Sequence, residues 1–66
     1  MIEYILIIFL TANGQMQPLM DQHNPFDSEQ ACNAHAVEQA IPEIKRVSRD
    51  DVLMAHVCIP VRVEVV

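Results

Sequence analysis

With 66 residues the chain has room for one domain, and a chain of that length buries only about 60% of the surface it exposes when unfolded, so a dimer contact, a metal or a cross-link is expected to supplement its core. Nine acidic residues against four basic ones give a formal charge of −5, which excludes nucleic acid as an expected partner, because that binding rests on Lys and Arg neutralising phosphates. The only aromatic side chains besides histidine are Tyr4, Phe9 and Phe26, so the core must be aliphatic, and a single glycine, Gly14, rules out a Gly-rich phosphate cradle.

The first element is "IEYILIIFL". It is apolar at both parities, with Tyr4, Leu6, Ile8 and Leu10 on one side and Ile5, Ile7 and Phe9 on the other, which predicts a strand covered on both faces. Its opening carries Glu3 and no Lys or Arg, and no small-residue cleavage site follows, so a signal peptide is not expected. The run is also far shorter than the roughly 20 residues that span a bilayer. A cytoplasmic location without a membrane partner follows as the expectation, and there thiols are kept reduced. Asn13-Gly14 then predicts a type I′ hairpin turn. The returning strand, "QMQPLM", contains Pro18, which cannot donate to a ladder, so it belongs at a sheet edge.

"DQHNPFDSEQ" has loop composition, with His23 read as a solvated side chain, and it ends in a helix start: Asp27 as N-cap and Gln30 as its capping-box partner. The helix is predicted over residues 28–40, stopping at Ile41 because the residue before Pro42 is pushed out of the α region. Its best apolar stripe at helical spacing is Ala34, Val37 and Ile41. Lys45, Arg46 and Arg49 fall on the polar connection that follows, where one further helical turn starting at Pro42 is the alternative, and read as solvated surface.

The closing strand begins near Val52. Leu53, Ala55, Val57, Ile59, Val61, Val63 and Val65 share one face, while Met54, His56, Cys58, Pro60, Arg62 and Glu64 share the other. These elements predict an α+β fold in a single domain over residues 1–66. It is a two-layer ββαβ unit with a three-stranded sheet in the order 2-1-3, one helix on one face and a long C-terminal strand.

The hydrophobic first strand, "FDSEQAC" opening a helix and "VCIP" in the last strand resemble a loose group of small bacterial and phage proteins, on the strength of Phe26, Ser28, Cys32 and the run Cys58-Ile59-Pro60. The resemblance implies a strand-helix-strand core and carries no known activity and no site.

For chemistry, no nucleophilic triad or dinucleotide fingerprint is present, and Glu29, Glu38, Glu43, Asp50 and Asp51 read as solvated surface, so no catalytic residue and no enzymatic activity are expected. One constellation stands out: Cys32-x-x-His35 with His56-x-Cys58. Each pair shares a face of its own element, and two thiolates with two imidazoles are a known ligand set for structural zinc. Three readings stay open: Cys32 and Cys58 as separate small hydrophobes, as a disulfide, or as zinc ligands with His35 and His56. Both cysteines fall off the expected apolar face of their own element, so either they meet at the rim of the helix–sheet interface or each faces something outside the protomer.

The expected function is that of a small non-enzymatic, phage-derived interaction protein without a cofactor. It binds itself as a homo-oligomer, a dimer above all, and binds a further protein or small ligand. The oligomer contact is expected from Val61, Val63 and Val65, in a segment 61–66 that extends past the pairing available within one protomer. The alternative is a metal-binding or redox-sensing module using Cys32, His35, His56 and Cys58.

Overall fold

The computed structural model describes residues 1–64. Strand β1, Ile2–Ala12, turns at Asn13 and Gly14 into β2, Gln15–Met20, and both turn residues are left-handed, with φ of 53° and 76°, as a type I′ turn requires. A helical rod follows: α1, Glu29–His35; a π turn, Ala36–Ala40; and α2, Ile41–Val47. Strand β3, Leu53–Arg62, closes the sheet in the order β2-β1-β3, with both neighbours antiparallel to β1. The α+β class, the central position of the first strand and the long last strand are those expected. The edge position of the Pro18 strand is also observed, and every residue of β2 is exposed.

Two features of the helix differ from expectation. The cap is Ser28 rather than Asp27: its extended backbone aims Oγ at the Ala31 N–H, which donates to it over 3.0 Å. The rod also runs past Ile41 to Val47. In α geometry the Pro42 ring would meet the carbonyl of Glu38, four residues back. The turn before it is wider, with the Ile41 N–H bonded to Ala36 O, five residues back, and the chain stays helical through the proline. Lys45 and Arg46 therefore lie in the last helical turn, where positive charge suits the helix dipole, rather than on a loop.

The core comprises Leu6, Ile8, Cys32, Ala36 and Ala40, with Tyr4, Leu10, Phe26, Ile44 and Cys58 packed against it. The helix thus buries a stripe of Cys32, Ala36, Ala40 and Ile44 in place of Ala34, Val37 and Ile41, and Val37 is 59% exposed. On the sheet the helix covers the face of Leu6 and Ile8, whose partners across the ladder are Cys58 and His56. The face expected to be avoided by the core is therefore the covered one. A disulfide between Cys32 and Cys58 joins helix to strand at this point, and two small alanines let the rod lie close to the sheet there.

Strand β1 is consequently covered on one face only. The last strand also stays with it longer than expected, since pairing continues to Val61 and Arg62, opposite Glu3 and Ile2, and the Val63 N–H donates to Met1 O over 2.9 Å. The segment that was to leave the protomer is held within it as far as Val63, because β1 begins early enough to supply partners.

Beyond the end of β2, the loop completes the exposed side of β1. The Asp21 N–H donates to Leu6 O. The Asn24 side chain then acts as a peptide mimic, accepting from Leu6 N–H at 2.8 Å and donating to Leu6 O at 3.0 Å. Phe26 and Tyr4 exchange both backbone hydrogen bonds. The loop is thereby laid along the sheet, under the start of the helix. Among the described residues no helix is long and apolar enough to cross a membrane.

Candidate functional site

The four residues considered as zinc ligands do not form one site. Cys32 and Cys58 are bonded to each other and offer no thiolates. The His56 Nε2 sits 3.0 Å from Asn33 Oδ1, an imidazole N–H to amide contact between strand and helix. His35, on the same helix, points to the loop instead. Of the expected oligomer contacts, Val61 is 40% exposed and Val63 half-buried, and Val65 lies outside the described residues.

Two features remain as candidates. One is the face of the sheet that the helix leaves open. By register it carries Ile5, Ile7 and Phe9 from β1, opposite Ile59, Val57 and Ala55 of β3 and, for Ile7 and Phe9, Met20 and Pro18 of β2. Thr11, Met16 and Leu53 extend it at one end, and Glu3 beside Val61 marks the other. Every position in its centre is apolar. Such a contiguous patch is unusual on a monomer, whereas scattered exposed aliphatics are not.

The other candidate is a cluster of Asp21, His23 and His35. The backbone anchors of the loop fix Asp21, which also accepts from Asn24 N–H through its carbonyl. Its carboxylate meets His23 Nδ1 at 3.0 Å and His35 Nε2 at 3.3 Å, and the His23 backbone N–H donates to it over 2.7 Å. The Asp21 and His35 side chains are 9% and 13% exposed, and His23 closes the cluster from outside at 59%. Phe26 packs on the His35 ring with centroids 5.1 Å apart, and the two imidazoles lie 4.8 Å apart. Burial alone would raise the pKa of Asp21 and is the largest single influence. The hydrogen bonds from His23 and the positive charge available on both imidazoles outweigh it, and the carboxyl ends below its ordinary value.

Sequence reasoning missed this cluster. Asp21-x-His23 was visible, but a loop histidine beside an acid is ordinary solvated surface, and nothing in the sequence places the loop against the helix face that carries His35. The signal that could have found it is Asn24 before Pro25 and Phe26, a loop able to pair with a strand edge. No family model matches the chain, and neither a curated protein nor a solved structure matches it.

Proposed function

We propose that the chain is a non-enzymatic interaction protein that works as a homodimer, its two sheets packed face to face through the surface the helix leaves open. The single observation that carries this reading is the charge-free apolar centre of that face, with Val57, Ile59 and Val61 38%, 39% and 40% exposed. A second copy is the occupant the surface favours. The two longer extents of the molecule, 44 and 22 Å, bound the face a second copy could cover, against the roughly 800 Å² per partner of a standard stable interface. An aliphatic face without central charges is complementary to itself under a two-fold axis, and aligned packing of two such faces makes a sandwich core. Val61 belongs by register to this surface and Val63 follows it by parity, so the contact expected at the end of the last strand becomes part of a larger one.

The Cys32–Cys58 bond bears on the compartment. It favours an oxidising environment over the cytoplasm expected from the first strand, where the same two side chains would pack as reduced small hydrophobes. Light scattering on untagged protein tests the assembly. Twice the 7.5 kDa chain mass is expected for the wild type, and the chain mass for Val57→Lys, which puts a charge in the centre of the face. A monomeric wild type, or a Val57→Lys variant that keeps the wild-type mass, overturns the reading.

A further inference from the structure

We propose that Asp21, His23 and His35 form a binding site for a divalent transition metal of the zinc class, with a coordination position left open towards the neighbouring cleft. One nitrogen of each imidazole and one carboxylate oxygen come within 4.8 Å of one another. Four donors about 2.0–2.1 Å from a tetrahedral ion lie about 3.3 Å apart, and the carboxylate lies 3.0 Å from His23 Nδ1 through Oδ1 and 3.3 Å from His35 Nε2 through Oδ2. His23 is the exposed member of the three, so its ring has room to turn towards the shared point. Imidazole with carboxylate is a donor set that suits zinc and its first-row neighbours, and the absence of thiolate makes copper(I) a poor competitor.

The site is built before any ion arrives. Asp21 is held through its own backbone to Leu6 and Asn24, and the His35 ring is packed against Phe26. Only His23 is free to adjust, so little ordering opposes binding. In the absence of an ion the imidazole N–H groups donate to the carboxylate. On metallation those two nitrogens turn their lone pairs to the ion, and each neutral ring carries its one proton on its other nitrogen.

Three protein ligands leave the fourth tetrahedral position to water or to an exchangeable donor, the arrangement of open rather than closed zinc sites. It faces a cleft of about 370 Å³ whose walls include Ile8, Leu19 and Ile44 as well as Gln39 and Glu43. A small ligand with an oxygen or nitrogen donor and an apolar body fits that lining. This inference is independent of the dimer, which uses the opposite face of the sheet.

The test is calorimetric titration of ZnCl₂ into untagged, chelator-treated protein, with a parallel thermal scan. Expected are one zinc per chain and a Tm that rises with zinc. His23→Ala is expected to weaken affinity at least about 10-fold, the smallest loss associated with disturbing a metal site, while His56→Gln binds as the wild type. His23 is exposed, so its replacement leaves the fold standing, and the Tm of the zinc-free variant verifies that. Wild-type protein that takes up no zinc, or a folded His23→Ala variant that binds zinc as tightly as the wild type, overturns the proposal. Loss of binding in His56→Gln, with His23→Ala unaffected, would place the ion elsewhere and overturn it as well.

Discussion

Along β1, Leu6 and Ile8 are sealed beneath the helix, while their neighbours Ile5, Ile7 and Phe9, one residue away on the other face, stay half-buried. The two faces are similarly apolar. They differ in what ties another element to them. The inner face holds the Cys32–Cys58 bond and the His56–Asn33 contact, and Asn24 pins the loop to the Leu6 backbone at the edge beside them. The outer face, richer in aliphatics along β3, has no covalent or polar attachment among the described residues. A helix of small residues settles where it can be fastened, and the more hydrophobic surface is left for something else to cover.

That contrast is broken most severely at Leu6. Leu6→Ala should cost about 2–5 kcal/mol, a large part of the stability of a small domain, whereas Ile7→Ala should cost much less in dilute protein. Urea denaturation of both variants checks this, and equal losses would mean that the two faces are equally buried. Next comes the cross-link. Replacing Cys32 and Cys58 together by Ala releases a loop closed over a sequence separation of 26, worth about 3.5 kcal/mol in the chain-entropy model. A stability indifferent to that change would show the bond to be unnecessary for holding the helix on the inner face.

Asn24→Leu should follow at about 1–3 kcal/mol, since the Leu6 N–H loses its partner and the Leu6 carbonyl keeps only the longer bond from Asp21 N–H. Asn24→Asp, which keeps the acceptor and loses the donor, should fall between it and the wild type. The smallest effect is expected at the hairpin, which belongs to neither face. Gly14 has φ +76° and open space around a would-be Cβ, so Gly14→Val costs only the backbone strain of a left-handed residue, about 1–2 kcal/mol. Gly14→Asn should recover most of it, and thermal melts of the two variants side by side measure the difference.

Much of this fold was legible in the residues. Asn13-Gly14 placed the hairpin, Pro18 placed an edge, and the apolar density of residues 2–10 placed the centre of the sheet. Which face the helix would take was not legible, because alternation tells which side chains share a side and is silent on which side acquires a partner. The aliphatic side of the last strand was the natural expectation. Two side chains distant in sequence, Cys32 and Asn33, decide against it by meeting Cys58 and His56. The Asp21 cluster was hidden for a related reason. It depends on a loop substituting an amide side chain for a strand, and no periodicity announces that. Pro42 misled in the opposite direction, since the rule that ends a helix before proline assumes α bonding on the turn behind it.

That turn also acts as a phase corrector. Four-residue steps along an α-helix overshoot a full turn by about 40°, so Cys32, Ala36, Ala40 and Ile44 would spiral off the sheet over three steps. A π turn has more residues per revolution and winds the error back between Ala36 and Ala40. The rod thereby keeps Cys32, Ala36, Ala40 and Ile44 on one seam against the sheet. The arrangement makes the helix intolerant of length changes at a place that looks permissive. Glu38 and Gln39 are exposed, yet removing either would restore α bonding on the turn before Pro42, and the proline ring would then meet the carbonyl four residues back.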